Sequence, residues 1–337
     1  RAGAWVFVIP KPGAPVWLGL SPTIWLILGG GLVLLGFAAW EQHRLRAGQS
    51  VLIDPTMLRN PLLRGGLTAF LFQFLLQAGL FFCVPLYLSV ALGLSAVETG
   101  IRILPLSITL LIAAVGIPKV WPHASPQRVS RWGFLGLLAG IVSLMGALEI
   151  GAGPEVVTVP LLLAGLGIGA LASQLGAVTV SSVPDEQSPE VGGLQNTFTN
   201  LGASVGTALA GAILVSALTS SFLTGIEDNP EIPETLTSQA QVELAGGIQF
   251  IPDAALEEAL TQAGITGETA DAIIEENTAS RLAGLRAALA ALALLALAAL
   301  FSTGNLPTRQ MGADTGESPP TPTPSPTSTP APAAPTA

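Results

Sequence analysis

The sequence predicts an all-α membrane protein with seven transmembrane helices, and its composition and hydropathy are the observations that predict it. Half of the 337 residues are hydrophobic, only 10% are charged, and the mean hydropathy is +0.63. A soluble domain carries about 25% charged residues, so this chain lacks the charge to cover a globule of its size. Seven stretches are also apolar over about 20 residues, the length that crosses a bilayer.

The predicted spans are separated by polar connections of very different length. Short connections join five spans, whereas longer polar segments set off the first span and the last. The predicted spans are Pro22–Trp40, Gly66–Leu92, Gly100–Pro118, Trp132–Ile150, Val156–Val180, Leu194–Leu218 and Leu282–Phe301. The predicted segments are an outer leading segment (1–20), a linker helix (21–41), a cytoplasmic loop (42–65), five helices of one bundle (66–218), an acidic extracytoplasmic loop (219–280), the last helix (281–302) and a cytoplasmic tail (303–337).

Two of the polar segments have a distinct composition. The loop 219–280 contains 12 acidic residues and no basic ones, which is typical of a solvated surface. Within it, the acids after Pro252, with Gly264 beyond them, predict a short helix, and a second helix is expected to begin near Thr266. The tail after Thr303 is rich in Pro and Thr, a composition that cannot build a packed core and predicts disorder.

The distribution of basic residues predicts the orientation. Cytoplasmic loops of membrane proteins carry an excess of Lys and Arg. Four basic residues, Arg1, Lys11, Arg102 and Arg281, fall on one side, with Arg286 just inside the last span. The opposite side carries eight: Arg44, Arg46, Arg59, Arg64, Lys119, Arg128, Arg131 and Arg309. We therefore expect the eight, and the C-terminus, to be cytoplasmic.

The sequence also argues against several functions. No basic patch with interleaved aromatic residues occurs, so nucleic acid is not an expected partner. The single cysteine, Cys83, lies in an apolar run, and His43 and His123 lie far apart, so neither a disulfide framework nor a metal or other cofactor is expected. There is no nucleophile elbow, phosphate-binding loop or zinc-protease motif, and we expect no enzymatic activity.

Small residues at four-residue spacing mark two helix faces for close packing. Gly202, Gly206 and Ala210 repeat in the sixth span, and Gly165 and Gly169, continued by Ser173, repeat in the fifth. Such rows let a neighbouring backbone approach closely inside a membrane. We interpret them as packing surfaces rather than as sites of chemistry.

Polar side chains inside the spans are the candidate functional residues. Because they are unfavourable at membrane depth unless partnered, such side chains face other helices or water. Any single one of them either lines a substrate path or hydrogen-bonds between helices, but two pairs at four-residue spacing on separate helices favour a lined substrate path for the set. The candidates are Gln73, Gln77, Gln174, Asn196 and Asn200. Glu98 and Arg102, four residues apart at the outer end of the third span, are predicted to form an ion pair, with simple extension of Arg102 to the surface as the alternative.

Several ordered motifs resemble one family of membrane proteins. In the sixth span and the loop before it the motifs are Val183-Pro-Asp-Glu-Gln187, Gly193-Leu-Gln-Asn-Thr197 and Asn200-Leu-Gly-Ala-Ser-Val-Gly-Thr-Ala208. Elsewhere they are Trp40-Glu41, Ile53-Asp-Pro-Thr-Met-Leu-Arg-Asn60, Val84-Pro-Leu-Tyr-Leu88, Leu104-Pro105 and Ala283-Gly-Leu-Arg286. Together they resemble the fourteen-span drug–proton antiporters of the EmrB/QacA type within the major facilitator superfamily.

The resemblance implies that the seven spans are helices eight to fourteen of such a transporter. The last six would form the C-terminal bundle of a major facilitator fold, in a bacterial plasma membrane. The implied partners are a missing N-terminal bundle, the lipid bilayer, protons and small amphipathic or cationic substrates. One departure concerns the loop after the third span, where Lys119 and Arg128 keep the basic charge but the family's acidic residue is absent. The coupling acids are expected in the missing half.

A second reading belongs to a different class. The chain could be a complete seven-span sensor or membrane scaffold, with the Pro-rich tail as a partner site. Seven further in-frame spans upstream of Arg1 favour the transporter, and a start codon close to Arg1 favours the sensor.

Overall fold

The fold is described from a computed structural model that covers residues 22–49, 51–52, 54–184, 187–233, 236–238, 240 and 250–306. The predicted leading segment 1–20 and the tail beyond residue 306 lie outside the described residues. Within those ranges the ordered elements are helices: α1 Pro22–Arg46, α2 Pro61–Leu86, α3 Ala96–Val120, α4 Pro126–Ala147, α5 Thr158–Val180, α6 Ser188–Asp228, α7 Asp253–Gln262 and α8 Glu268–Ser302. Every one except α7 is long and apolar enough to cross a membrane, which gives seven candidate spans in the described part of the chain. The predicted all-α membrane fold is confirmed.

Local sequence signals set where several helices begin. Asn60 ends a short 3-10 helix, Pro55–Arg59, and its side chain accepts a hydrogen bond from the Leu62 N–H at 2.9 Å. Pro61 then occupies the first position of α2, where its missing N–H has no helical partner to lose. At the other end of α2, Pro85 is followed by one π-helical turn, Tyr87–Ala91, so the helix changes its winding there.

The start of α3 differs from the prediction for Glu98. Its carboxylate accepts hydrogen bonds from the Ser95 backbone N–H at 2.9 Å and the Ser95 hydroxyl at 2.8 Å, which completes a capping box. No Glu98–Arg102 contact within 4 Å occurs among the described residues, so the predicted ion pair is not formed. The reason is local, because the first turn of a helix offers unpaired N–H groups that hold a carboxylate better than a mobile guanidinium does.

The six helices α2–α6 and α8 pack into one bundle. Helix α2 contacts α6, α5 and α8, while α5 contacts α3 and α4. Helix α8 in turn contacts α4 and α6, which completes the bundle on the other side of α2 and α5. The row α6–α2–α5–α3 therefore forms one side of it. Helix α1 stands apart, with 6% of its apolar window buried, and its main contact in the described structure is the 3-10 helix Pro55–Arg59.

The glycine rows lie where helix backbones meet. A Cβ added to Gly202 or Gly206 would clash with the backbone of Leu71 or Leu75 in α2. Ala210 continues that row and is 1% exposed. In α5, a Cβ at Gly165 or Gly169 would clash with the carbonyl oxygen of Leu106 or Leu110 in α3. The α6–α2 and α5–α3 contacts thus depend on the absence of a side chain.

Helices α6 and α8 extend well beyond the spans expected from hydropathy. The sequence predicts a loop from 219 to 280, but α6 continues to Asp228 and α8 begins at Glu268. Outside the predicted spans, these extensions and α7 share an apolar cluster that includes Phe222, Ile226, Leu260 and Ile273. Burial of those side chains stabilises helix where the acidic composition suggested an open loop. The short helix expected after Pro252 is α7, and it is followed by Gly264 at φ +77°.

We expect Gly206→Ala to lower the stability of the bundle by about 1–3 kcal/mol, the range found for overpacked cores. The new methyl group meets the fixed backbone of Leu75, which cannot rotate out of the way. The measurement is the thermal unfolding midpoint of the purified protein in detergent.

Gly193→Ala is the matched control in the same helix, because its added Cβ has no atom within 4 Å. It should be neutral or slightly stabilising, since Ala is the better helix former. Equal midpoints for the two variants would show that the α6–α2 approach is looser than described.

Candidate functional site

The exposed face of α6 is the candidate site. Asn196, Asn200, Ser204 and Thr207 are all exposed, and Thr197 lies beside them. We call these five residues the polar flank. Gly202 and Gly206 lie on the opposite side of the helix, against α2. One helix therefore packs through its glycines and turns its polar side chains away from the bundle.

Hydrogen bonds inside α6 satisfy part of the polar flank. The Thr197 hydroxyl donates to the Gly193 carbonyl at 2.9 Å, and the Thr207 hydroxyl donates to the Ala203 carbonyl at 3.1 Å. The Asn200 amide donates to the Asn196 carbonyl at 2.9 Å and to its side-chain oxygen at 3.1 Å. The side-chain nitrogen of Asn196, with both its N–H groups, and the side-chain oxygen of Asn200 have no partner among the described residues. They can bond water, a ligand or another helix.

The polar flank differs in chemistry from the other exposed faces of the bundle. Leu294 in α8 is 67% exposed and Leu111 in α3 is 62% exposed, and Ile108 and Ile112 beside Leu111 are apolar too. Such faces suit contact with acyl chains. Unsatisfied amides in hydrocarbon cost several kcal/mol each, so the polar flank is suited to water or to a protein surface instead.

The other predicted polar residues do not join this face. Gln73 is 3% exposed and Gln174 is 6% exposed, so both lie inside the bundle, and Gln77 is half-buried. The Gln174 amide donates to Ser173 Oγ at 3.4 Å, whereas the buried Oε1 of Gln73 has no partner. The five amides are therefore divided between the open face of α6 and the interior.

Gln195 is a polar side chain of α6 that the spacing arguments did not single out. Its amide donates to the Thr179 hydroxyl, which is fully buried, and to the Gly176 carbonyl at 3.3 Å. It therefore joins α6 to α5 one residue before the polar flank begins. The signal in the sequence was its position next to Asn196, about 100° around the helix, which directs the two side chains to different neighbours.

Polar contacts also fix the segments near the start of α6. The Asn60 amide donates to the Ser182 carbonyl at 2.8 Å, and the Asp54 N–H donates to Glu190 Oε2 at 3.2 Å. Glu41, which is 1% exposed, accepts from the Leu52 N–H at 3.1 Å. The 42–65 loop is thereby held against the end of the bundle from which the polar flank starts.

A helical bundle with seven membrane-spanning candidates and a polar face on one open side defines a multi-pass membrane protein. The described residues contain no group of three or more potential metal ligands. Comparison with known families makes the class specific: the chain belongs to the Major Facilitator Superfamily, whose family model matches residues 13–207.

Relatives of the chain carry names that refer to transport or drug resistance. The probable actinorhodin transporter of Streptomyces coelicolor is 27% identical over 69% of this chain and 39% of its own length. The tetracenomycin C resistance and export protein of Streptomyces glaucescens is 32% identical over 56% of this chain and 35% of its own. The lincomycin resistance protein LmrB of Listeria monocytogenes is 24% identical over 73% of this chain and 50% of its own length. The chain thus spans from about a third to half the length of these relatives.

We expect a cysteine at Asn200 to react with a water-soluble maleimide in membranes, whereas a cysteine at Leu294 does not. Both positions are exposed, but only a face in contact with water supports the thiolate that reacts. The native Cys83 is buried and gives a low background.

Labelling rates of Asn200→Cys and Leu294→Cys in the full chain are the measurement. Equal rates would mean that the polar flank faces the same medium as the apolar faces, and the site would be misplaced.

Proposed function

We propose that the chain is the C-terminal half of a proton-coupled multidrug exporter of the fourteen-span type. It would export small amphipathic or cationic compounds by alternating access. The membership in the Major Facilitator Superfamily and the names of the relatives support export as the activity. The polar flank of α6 is the observation that supports the rest of the proposal, namely that a second bundle covers this side and that the substrate passes between the two bundles.

The argument begins with the open side of the bundle. Helix α6 has only 28% and α3 only 11% of its apolar window buried, so both leave broad faces uncovered. On α6 this face carries amides, which are unfavourable against lipid. A second helical bundle placed there would cover the apolar parts and enclose the amides in an aqueous gap. Substrate paths between two such bundles are the general arrangement of transporters that rock between two states.

The chemistry of the polar flank suits neutral hydrogen bonding. No Asp or Glu occurs in α6 between Glu190 and Glu227, so this surface offers amides and hydroxyls without a carboxylate. Asn196, Asn200 and the half-buried Gln77 would then bond substrate or water, while buried Gln73 and Gln174 serve helix contacts. The acid that couples proton movement to export would come from the partner bundle.

The proposed orientation places the C-terminus in the bacterial cytoplasm. The basic residues at the end of α1, around the start of α2 and between α3 and α4 fall on one side when seven spans alternate. The end of α8 lies on that side too, because Gln127 donates to the Gly304 carbonyl at 3.3 Å and Arg131 to Thr303 Oγ1 at 3.5 Å. An excess of Lys and Arg on this side supports a cytoplasmic location.

We expect Asn196→Leu combined with Asn200→Leu to lower proton-driven dye efflux about tenfold while the amount of folded protein stays unchanged. A tenfold lower rate corresponds to the loss of one good hydrogen bond in the transition between the two conformations of the transporter. The measurement is dye uptake into inverted membrane vesicles that contain the full-length transporter with both halves, normalised to protein level, because an exporter pumps dye into such vesicles.

Ser143→Ala in α4 is the control, because that hydroxyl lies outside the polar flank and donates only to the Gly140 carbonyl of its own helix. Export should persist in this variant. If the asparagine pair exports normally, the two amides have a packing role and the path lies elsewhere.

We also expect the 337-residue chain alone, reconstituted in liposomes with a pH gradient, to give no dye efflux. One bundle cannot enclose a path that two bundles form between them. Gradient-dependent efflux by this chain alone would contradict its proposed role as a half.

A further inference from the structure

Arg281 is the largest fully buried side chain in the described structure, and the proposed path does not involve it. It lies in α8 and is 1% exposed. A cation at such burial needs several hydrogen-bond partners to offset the loss of water. Its partners come from three different parts of the chain.

The guanidinium of Arg281 joins those three parts. Nη1 donates to the Ile251 carbonyl at 3.0 Å and to the Val90 carbonyl at 3.4 Å. Nη2 donates to Asp253 Oδ1 at 2.5 Å and to Thr278 Oγ1 at 3.1 Å. Val90 belongs to the π-helical turn that follows α2, Ile251 precedes α7, Asp253 is the first residue of α7, and Thr278 is one turn earlier in α8.

The segment 250–253, which we call the strap, is held at both ends. Phe250 packs against the main hydrophobic core of the bundle. Asp253, which is 40% exposed, also accepts from the Asn277 amide at 3.1 Å and the Thr278 hydroxyl at 3.2 Å. The strap therefore connects the bundle to α7 and to the outer apolar cluster that includes Phe222 and Leu260.

The Val90 contact ties this arrangement to the bent end of α2. The last carbonyls of a helix lack backbone partners, and a cation near them is favourable. Here one nitrogen serves both the Val90 carbonyl and the strap, so α2 cannot move away from the strap without breaking a bond to Arg281. The preceding Pro85 and the π-helical turn are the features at which helices bend.

The junction is incompletely satisfied, which suits a contact that opens. Arg281 Nε and the neighbouring Ser280 Oγ are both buried without a hydrogen-bond partner. A polar network with members left unpaired is less stable than a complete one. A permanent structural tie would gain from pairing these groups.

We propose that Arg281, the strap and the Val90 end of α2 form an outer latch that is closed in this conformation and releases when the transporter opens outwards. This rests on the proposed alternating-access function. An arginine suits this latch because its planar guanidinium donates hydrogen bonds to several acceptors in fixed directions. A lysine ammonium, by contrast, acts as a point charge.

The test is a disulfide across the latch in the full-length transporter, which contains both halves. Val90→Cys and Ile251→Cys retain both backbone acceptors, whose carbonyl oxygens lie 3.4 Å and 3.0 Å from the same nitrogen. We expect an oxidant to form the disulfide, and we expect the cross-linked protein to stop exporting and recover on reduction. Absence of the disulfide, or unchanged export by the cross-linked protein, would overturn the latch.

A second measurement does not depend on transport. Adding Asp253→Asn to the cysteine pair should lower the initial rate of disulfide formation about tenfold, the effect of losing one charge-assisted hydrogen bond. Glu257→Gln is the matched control, since this exposed acid of α7 is not among the described contacts of the Arg281 guanidinium, and it should leave the rate unchanged.

The two readouts separate the latch from the proposed function. One outcome is that the reduced protein shows no export, while Asp253→Asn slows cross-linking and Glu257→Gln does not. In that case the proposed function fails and the closed junction stands. If Asp253→Asn and Glu257→Gln cross-link equally fast, the junction does not hold the strap, whatever the export measurements give.

Discussion

The close approach of α6 to α2 is the contact from which the rest of the arrangement follows. Gly202 and Gly206 bring the backbone of α6 against Leu71 and Leu75, and no larger residue fits there. Inside a membrane such van der Waals packing replaces the hydrophobic effect, which offers little between helices already surrounded by lipid. Because this contact fixes the rotation of α6 about its axis, it also decides that Asn196 and Asn200 point away from the bundle.

Because those amides point outwards, the medium beside them must be able to form hydrogen bonds with them. Water or another protein surface meets it, whereas acyl chains do not. Gln195 shows the opposite case, since its amide bonds Gly176 and Thr179 of α5 within the bundle. The same chemical group thus serves to join helices at one position and to face an opening at another, and the neighbouring helix decides which.

The sequence was sufficient to predict where the spans lie, but it was insufficient to predict which residues contact one another between them. Hydropathy identified the seven spans because each is a continuous apolar run, and four-residue spacing identified the glycine rows. It missed the outer extension of α6, whose apolar Phe222 and Ile226 are dispersed among polar residues, whereas the helix expected near Thr266 is the start of α8. It also took Arg281 for a surface cation, because the Val90 carbonyl that binds it is 191 residues away along the chain. For Glu98, four-residue spacing suggested Arg102, but the unpaired N–H groups of the helix start were the stronger partner.

Helix α1 has a consequence for how the protein responds to its membrane. Its apolar part ends at Trp40, and the polar residues Glu41–Arg46 continue the helix beyond the hydrocarbon core. Only 6% of its apolar window is buried in the described structure, so α1 is held at this polar end, where Glu41 accepts a hydrogen bond from the Leu52 N–H, rather than along its length. We therefore expect the tilt of α1 to follow the thickness of the bilayer more readily than the tilt of the packed helices does.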